Sequence, residues 1–369
     1  MPKIQLSYEW LPDGLQRGGT PSPLHHPLMD LLQAVRDSGS ISKAAKGLEL
    51  SYRHVWGELR RWEQQLAQPL IVWEKGQAAR LTEFADKLLW AERQAQARLA
   101  PQISALQAEL EKTFALAFDP GRHVLTLYAS HDDALVRLRE HAATQGLHLD
   151  IRFCGSVDAI RALNEGRCTV AGFHAPEQPP ADSLVARTYA PLLQTGRHKL
   201  ISFGLRQQGL MVARGNPLRI RGWDDLLRPD VRMRNRSLGT GTRLLLDQWL
   251  QAAGHTGASI NGYEHEEASH AAVAAGIAAG QADTGLGIAS AAAAQGLGFV
   301  PLLLERYWLV CLREALEGEP VQALRQILTS PAWGESLQAL AGYAQPDDAG
   351  QVQSLRHSLP WWSLPGARP

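Results

Sequence analysis

Residues 40–65 read SISKAAKGLELSYRHVWGELRRWEQQ, and their apolar positions recur in the pattern of two helices joined by a tight turn. After a turn over residues 47–50, Ser51 stands at the N-cap of the second helix. The first helix has its apolar side chains on one face, at Ile41, Ala44, Ala45 and Leu48. The second helix has a stripe at spacings of four and three, at Val55, Leu59 and Trp62. The stretch predicts a helix-turn-helix.

The opposite face of the second helix is rich in groups that can reach the phosphates and base edges of duplex DNA. These residues are Tyr52, Arg53, His54, Arg60 and Arg61. The alternative interpretation of the same pattern is an ordinary helical hairpin with a basic face toward solvent.

The segments that flank these helices favour the DNA-binding interpretation. Residues 28–35 have the apolar spacing of a preceding helix, and residues 69–81 read as two short strands of a wing. The wing turns at Lys75-Gly76, and Thr82 can cap the helix that follows. The candidate DNA-binding residues are Lys43, Ser51, Tyr52, Arg53, His54, Arg60, Lys75 and Arg80.

The order of these motifs resembles the winged helix-turn-helix of molybdate-responsive and LysR-type regulators, over residues 25–115. It runs from Ser-Ile-Ser-Lys-Ala-Ala through Leu-Ser-Tyr-Arg-His-Val-Trp to a wing that ends in Arg-Leu-Thr. The combination of Ser51-Tyr52-Arg53 with Trp56 is closer to the molybdate-responsive branch. The resemblance implies a transcription factor that binds double-stranded operator DNA.

Length and charge set bounds on this interpretation. A chain of 369 residues is too long for a single DNA-binding module and fits two domains. The formal net charge is zero, so the overall charge does not attract nucleic acid. Between residues 36 and 80, however, eight Lys or Arg stand against five Asp or Glu. The attraction to DNA is therefore expected to be local.

The remaining bulk features indicate a cytoplasmic protein that contacts no membrane. Cys154, Cys168 and Cys311 are far apart, lack the spacing of a metal site and suit buried thiols in a reducing compartment. The N-terminus lacks the apolar core of a signal peptide, and no run is long enough to cross a membrane. No metal and no cofactor are expected.

A long amphipathic helix is predicted after the wing. About 30 helical residues from Thr82 would span ~45 Å. We expect the apolar stripe of this helix to join two chains, in a homodimer or a dimer of dimers. The alternative is a linker helix that packs only within its own chain. Pro101 should kink or split the helix. The apolar stripe consists of Phe84, Leu88, Ala91, Ala95, Leu99, Ile103, Leu106, Leu110 and Phe114.

The second domain is expected to begin near Asp119-Pro120-Gly121, and it alternates strand and helix signals. This alternation indicates a parallel sheet with crossover helices. A further short strand is predicted at residues 4–10. Strands are predicted at 124–129, 149–154 and 168–173, an extended segment at 199–212, and helices at 132–143, 157–163, 241–253, 270–279 and 321–328.

Three segments place small polar residues between a strand and a helix: 129–132, 155–157 and 237–243. The N-terminus of a helix has free N–H groups and a partial positive charge, and hydroxyl groups beside it complete an anion cradle. Each of Ser130, Ser156 and Thr240 could instead be a plain helix cap. Residues 239–242, Gly-Thr-Gly-Thr, lack the ending of a nucleotide phosphate loop.

A second resemblance covers roughly residues 120–345. It rests on five segments that occur in a fixed order: Arg206-Gln-Gln-Gly-Leu210, Gly215-Asn-Pro217, Asn235-Arg-Ser-Leu-Gly-Thr-Gly-Thr-Arg243, Ala282-Asp-Thr-Gly-Leu-Gly287 and Glu305-Arg-Tyr307. The order is similar to the periplasmic-binding-protein-like domain of molybdate-linked proteins.

This second resemblance implies an α/β fold class: an N-terminal winged helix-turn-helix with a long dimerisation helix, then a two-lobed type II periplasmic-binding-protein-like domain. The expected boundaries are 1–81 for the DNA-binding domain, 82–117 for the dimerisation helix, 118–345 for the effector domain and 346–369 for a C-terminal tail. Lobe one would comprise 120–205 and 302–345, and lobe two 206–301.

The resemblance also implies a ligand held between the lobes. Arg206 and Arg243 could each bind a carboxylate, or they could form ion pairs within the chain with Asp247, Asp283 or Glu266. Asp132 is expected at the rim of the site. The candidate ligand residues are Ser130, His131, Ser156, Arg206, Gly239, Thr240, Gly241, Thr242, Arg243 and His270.

The leading functional hypothesis is a one-component transcriptional regulator, not an enzyme, whose cleft senses a small anion. Molybdate or tungstate is the first choice on the resemblance, and a small carboxylate such as formate is the second. One alternative is a binding or biosynthesis protein of the molybdenum cofactor whose cleft holds a pterin or a metal-cofactor precursor. The other is a DNA-binding protein whose second domain only mediates assembly.

Overall fold

The structure is a computed structural model that describes residues 26–72, 78–118, 123–177 and 182–362. The chain divides into two compact units, residues 1–100 and 101–369. Four sequence predictions lie outside the described residues: the strand at 4–10, the turn at Lys75-Gly76, the start of the second domain at 119–121 and the side chain of Phe114.

The first unit contains the predicted helix-turn-helix. Its elements are α1 (Pro27–Ser38), α2 (Ile41–Gly47), α3 (Tyr52–Leu66), β1 (Ile71–Val72), β2 (Arg80–Leu81) and the first part of α4 (Glu83–Phe118). Gly39 ends α1 with a φ of 62°, a left-handed conformation that glycine adopts without strain. The hydroxyl of Ser51 accepts from the backbone N–H of His54 at 3.1 Å, so it caps α3 as predicted.

The core of the first unit is formed by the predicted apolar stripes. Leu32, Val35, Val55 and Leu70 are fully buried, and the predicted Ile41 and Leu59 are buried beside them. Leu48 and Trp62, which also belong to the predicted apolar faces, are partly buried and pack against the same cluster. Because the buried positions lie on one side of α2 and α3, the polar side of α3 remains exposed.

The two strands of the wing are antiparallel, with Val72 opposite Arg80. The carboxylate of Glu63, on α3, accepts from the backbone N–H of Leu70 at 2.8 Å. The wing is therefore tied to α3 by a hydrogen bond as well as by the buried Leu70.

Helix α4 begins as predicted, since the hydroxyl of Thr82 accepts from the N–H of Ala85 at 3.1 Å. It continues as one helix from Glu83 to Phe118, so Pro101 does not split it, and the alternative of a kink at Pro101 stays a prediction. A proline removes one backbone hydrogen bond, and the helical bonds on both sides hold the two halves together. Within the predicted stripe, Leu99, Leu106 and Leu110 are exposed.

The second unit contains ten further strands and nine further helices among the residues that the structure describes. The strands are β3 (His123–Ala129), β4 (Leu147–Phe153), β5 (Val170–Pro176), β6 (His198–Val212), β7 (Asn235–Arg236), β8 (Glu266–Glu267), β9 (Thr284–Ile288), β10 (Gly298–Leu312), β11 (Tyr343–Ala344) and β12 (Val352–Ser354). The helices are α5 (Asp133–Thr144), α6 (Ser156–Asn164), α7 (Leu184–Tyr189), α8 (Gly241–Ala252), α9 (His270–Ala278), α10 (Ala289–Ala294), α11 (Glu319–Thr329), α12 (Pro331–Gln338) and α13 (Leu355–Ser358).

Two long antiparallel strands connect the two lobes of this unit. Strands β6 and β10 pair from His198 opposite Leu312 to Val212 opposite Gly298. At one end β10 pairs with β5, and at the other end β6 pairs with β9. The main sheet has the order β11-β6-β10-β5-β3-β4, and β9 and β12 also pair with β6. Each long strand thus runs from the sheet of one lobe into the sheet of the other, as the predicted two-lobed architecture requires.

The parallel strands of lobe one are covered on both faces, as the predicted crossovers require. Strand β3 pairs in parallel with β4 and β5. Helices α5, α11 and α12 contribute to one apolar cluster, and α6 and α7 contribute to another. In lobe two, β7 and β8 are parallel, and a separate cluster surrounds Leu246 and Leu286.

The segment predicted as a C-terminal tail packs on lobe one over its described residues. Strand β12 pairs with residues Lys199 to Ile201 of β6. Trp361 is buried in the cluster that contains Leu355 and Leu359, and it anchors this segment on lobe one. Among the described helices, none combines the length and the hydropathy needed to cross a bilayer.

Candidate DNA-binding surface and ligand cleft

The first turn of α3 presents the candidate base-contacting residues. Ser51, Tyr52, Arg53 and His54 are all exposed, and within the described part of the chain Arg53 and His54 have no ion pair. These side chains are available to a partner in the major groove, where the start of a recognition helix contacts base edges.

The later basic residues of α3 are held within the chain. The guanidinium of Arg60 lies 3.0 Å from the carboxylate of Glu63 and 4.6 Å from the ring centroid of Trp56. Arg61 lies 2.6 Å from Glu58. To bind a DNA phosphate, Arg60 or Arg61 must first release the carboxylate with which it forms an ion pair. Lys43 on α2 and Arg80 on β2 are exposed, and Lys75 lies outside the described residues.

In the second unit, the predicted anion cradles come together where strands end and helices begin. Helices α5, α6, α8 and α9 each follow a strand, namely β3, β4, β7 and β8. A Cβ atom on Gly155 would lie 3.1 Å from the carbonyl oxygen of Gly239, which has a φ of 77°. The guanidinium Nη2 of Arg236, in lobe two, lies 3.4 Å from Ser130 Oγ, in lobe one. Segments that are far apart in sequence thus form one cleft.

The cleft contains a buried ion triad around Arg206. Its Nη1 donates to Asp132 Oδ2 at 2.6 Å, and its Nε donates to Glu305 Oε2 at 2.8 Å. Tyr343 also donates to Asp132 Oδ2, at 3.0 Å. Arg206 therefore forms ion pairs with two carboxylates of its own chain. Neither of them is among the three partners that the sequence suggested, which were Asp247, Asp283 and Glu266.

Asp132 is buried inside the cleft, so its expected position at the rim is wrong. It caps α5 by accepting from the N–H of Ala134 at 2.9 Å, and this role draws the carboxylate under the helix start. Burial opposes its ionisation, but the approach of His174 and the charge of Arg206 outweigh burial. They hold the pKa of the Asp132 carboxyl well below its usual range.

Arg243 is also paired within the chain. It lies 3.1 Å from Asp247 and 2.8 Å from Glu266, the two carboxylates that its alternative interpretation named. The third named carboxylate, Asp283, pairs with Arg232 at 3.0 Å. Arg243 is thus held by carboxylates of lobe two, and its role toward a ligand stays a prediction.

The hydroxyls of the Gly-Thr-Gly-Thr loop have partners within lobe two. Thr240 caps α8 by accepting from the N–H of Arg243 at 3.4 Å, and Thr242 accepts from Gln208 at 3.1 Å. A Cβ atom on Gly241 would lie 3.5 Å from the Cβ of His174 in lobe one. The loop therefore faces lobe one, as an interlobe ligand would require.

Sequence reasoning missed Arg236, which is 1% exposed. Its Nη1 donates to the carbonyl oxygen of Glu267 at 3.0 Å, and its Nε has no hydrogen-bond partner. Among the described residues no carboxylate forms an ion pair with it. Burial, together with the charge of Arg206, lowers the pKa of this guanidinium to about 9. Its position directly before the Gly-Thr-Gly-Thr loop was the signal that could have identified it.

Further buried polar atoms of the second unit have no hydrogen-bond partner among the described residues. They include Ser156 Oγ and Tyr189 Oη in lobe one and His270 Nδ1 at the start of α9. Burial and the charges of Arg236 and Arg206 hold the pKa of His270 well below its usual value. His270 is therefore neutral near pH 7, and its ring can both donate and accept a hydrogen bond. His131 lies at the edge of the same cleft, against the ring of Phe153.

The described part of the chain shows no cluster of three or more His, Cys, Asp or Glu arranged to hold a metal ion. Burial raises the pKa of Cys154 to about 11 and the pKa values of Cys168 and Cys311 to about 12. These thiols are therefore protonated at neutral pH.

Comparison with known proteins gives two family matches and two sequence relatives. Residues 138–329 match the PBP superfamily domain, and residues 27–86 match the bacterial regulatory helix-turn-helix proteins of the lysR family. The protein is 34% identical over 251 residues to the uncharacterized protein YvgK of Bacillus subtilis (strain 168), over 67% of this chain and 78% of YvgK. It is 35% identical over 101 residues to an uncharacterized protein in the 5′ region of the ferredoxin 2Fe-2S gene of Clostridium pasteurianum, over 27% of this chain and 89% of that protein.

Among solved structures, a mutant of OxyR from Corynebacterium glutamicum aligns over 86% of this chain and 95% of that chain, with 16% identity and a TM-score of 0.42. The PBP superfamily match covers more than half of this chain, and the lysR-family match covers the helices and wing that carry the candidate DNA-binding residues. The chain therefore belongs to the PBP superfamily and joins that domain to a LysR-family helix-turn-helix, as a DNA-binding transcriptional regulator with an effector-binding domain.

Proposed function

We propose that the effector of this regulator is a small anion, bound between the two lobes by Arg236. The observation that carries the proposal is a fully buried guanidinium that no carboxylate of the described residues pairs with. Burial of an unpaired charge is costly, and an anion that enters the cleft removes that cost. Arg206, in contrast, already has Asp132 and Glu305.

The donors around Arg236 fit the same class of ligand. Ser130 and Ser156 belong to lobe one, whereas Arg236 and His270 belong to lobe two. The helix starts at α5, α6, α8 and α9 add a partial positive charge. An anion held by both lobes contacts all of these groups only when the lobes are close together.

Two chemical classes of anion meet these requirements. Molybdate or tungstate follows from the resemblance of both domains to molybdate-linked proteins. A small carboxylate such as formate follows from the guanidinium, whose two parallel N–H groups match a carboxylate. The carboxylate interpretation was based on Arg206 and Arg243, and in the structure Arg236 is the arginine that supports it.

The ligand would control DNA binding through the lobe equilibrium. An effector shifts a conformational equilibrium only by as much as its affinities for the two states differ. A ligand that bridges lobe one and lobe two has a higher affinity for the closed state. We propose that this difference changes the arrangement of two recognition helices in a dimer that binds operator DNA.

Calorimetry on the full chain tests the proposal with molybdate, tungstate and formate as the probes. We expect one of these classes to bind with a stoichiometry of one per chain in the native protein. Arg236→Met should abolish binding, and Arg221→Met, at an exposed arginine of lobe two, should leave it unchanged. Unaltered binding in Arg236→Met would refute the assignment. If none of these anions binds and a pterin does, the molybdenum-cofactor alternative takes its place.

A further inference from the structure

The buried charges of the cleft have an unusual balance. Arg206 contacts both Asp132 and Glu305, so this triad has one net negative charge. Arg236 adds one positive charge, although it forms no ion pair with either carboxylate of the triad. Glu267, the other buried carboxylate close to Arg236, pairs with Arg234 at 3.4 Å and is itself balanced. The four charges of the triad and Arg236 therefore sum to zero before any ligand enters.

The histidines of the cleft do not alter this balance. Burial is the largest cause that lowers the pKa values of His131, His174 and His270, so all three are neutral near pH 7. Ser156 and Tyr189, whose hydroxyl groups have no hydrogen-bond partner among the described residues, are neutral. These groups can orient an anion but provide no further positive charge.

We infer that the cleft selects an anion with a single negative charge over a dianion of the same shape. The inference rests on the proposed function, since it concerns the ligand of that same site. A monoanion that contacts Arg236 leaves one net negative charge in the site. A second negative charge would be unmatched in a site of low dielectric, where it would be repelled by the triad of Arg206, Asp132 and Glu305.

The carboxylate of Asp132 does not readily accept a proton to relieve this repulsion, because His174 and the charge of Arg206 outweigh burial and hold its pKa well below its usual range. The side chains of Asp132 and Glu305 are both buried, and each accepts a hydrogen bond from Arg206. The charge of the triad is therefore a fixed feature of the closed cleft. This fixed charge favours the carboxylate class over molybdate and tungstate.

Perrhenate and tungstate make the test direct, because both are tetrahedral oxyanions of nearly the same size and they differ by one charge. Calorimetry on the full chain in neutral buffer, where dilute tungstate is a dianion and Arg236 is protonated, should show perrhenate binding tighter by about tenfold or more. Tungstate that binds as tightly as perrhenate, or more tightly, would overturn the inference and leave the proposed function intact. If perrhenate, tungstate and formate all fail to bind, the proposed function itself fails.

A charge variant provides an independent readout. Glu305→Gln keeps an oxygen for the Nε of Arg206 and removes one negative charge from the triad. We expect its tungstate affinity, relative to perrhenate, to rise by about tenfold. Glu264→Gln, at an exposed acid of lobe two, serves as the matched control and should keep the native preference. A Glu305→Gln protein that is folded by its melting curve and keeps the native ratio of affinities would also overturn the inference.

Discussion

The guanidinium of Arg236 donates across the cleft to Ser130 Oγ at 3.4 Å, so a cation of lobe two contacts the helix start of lobe one. The contact joins residues that are 106 positions apart in sequence. It exists because β7 and β3 both end at the cleft and both lead into a helix. The cation of the cleft thus lies where the two lobes meet, and its substitution should separate ligand binding from folding.

Arg236→Met should leave the ligand-free protein as stable as the native chain or more stable. Its guanidinium is buried without an ion pair, and an apolar side chain of similar length removes that cost. Urea denaturation without added anion measures the free energy of unfolding. A loss of more than about 3 kcal/mol would show that Arg236 is a structural residue.

Arg206→Met should have the opposite effect, a loss of about 3–5 kcal/mol in the free energy of unfolding. The substitution leaves Asp132 and Glu305 buried without their cation. The same urea titration measures it, beside Arg236→Met. Equal stability of the two variants would contradict the difference in pairing on which the candidate site rests.

The pH dependence of stability should report the low pKa of Asp132. A carboxyl whose pKa is lower in the folded state stabilises the protein above its unfolded pKa of about 4, and this stabilisation is lost as the pH falls toward the folded pKa. Asp132→Asn should therefore be less stable at neutral pH, and its stability should fall less steeply below about pH 4. Urea titrations at several pH values measure both. Parallel pH curves for the variant and the native protein would show that Asp132 does not contribute through its charge.

Arg53→Ala should cost about 1–3 kcal/mol of specific DNA binding, because Arg53 is exposed at the start of α3 without an ion pair among the described residues. The operator for this test is a duplex selected from a random library with the native chain. Lys87→Ala on α4, where Lys87 pairs with Glu83 at 2.6 Å, is the charge-matched control. Native affinity in Arg53→Ala would show that this turn does not contact the groove.

The exposed leucines of α4 should join two chains. Leu99 and Leu106 are 39% and 60% exposed, an unusual position for large apolar side chains on one helix. Leu99→Asp combined with Leu106→Asp should give monomers by light scattering and abolish tight operator binding. Gln102→Asp, at an exposed position of the same helix, should remain dimeric. A dimeric double variant would refute this role of α4.

Local sequence signals predicted the elements of both units, because caps and periodic stripes act over a few residues. Ser51 and Thr82 cap helices where predicted, and Thr240 caps α8 as its alternative interpretation stated. The alternation of strand and helix signals after residue 123 predicted the parallel strands of lobe one. The long strands β6 and β10, which connect the two lobes, agree with the two-lobed domain that the resemblance implied.

The chemistry of the cleft could not be predicted in the same way, because it depends on contacts distant in sequence. Arg206 pairs with Glu305 across neighbouring strands, 99 residues apart, and no local pattern marks such a pair. Asp132 was expected at the rim of the cleft. It is buried because it caps α5 directly after the buried end of strand β3. Arg236 was overlooked since a single arginine before a glycine-rich loop has no periodic signal.

The glycine contact between the lobes has a genetic consequence. The atoms nearest to a Cβ on Gly155 are the carbonyl oxygen and carbon of Gly239, at 3.1 and 3.3 Å, and backbone atoms cannot rotate away as a flexible side chain can. If every amino acid is encoded at position 155 and cells are selected for a working effector response, glycine should dominate the survivors. The excluded codons should not be loss-of-function alleles in the ordinary sense. They should encode a regulator fixed in one transcriptional output, insensitive to its signal but still able to bind its operator.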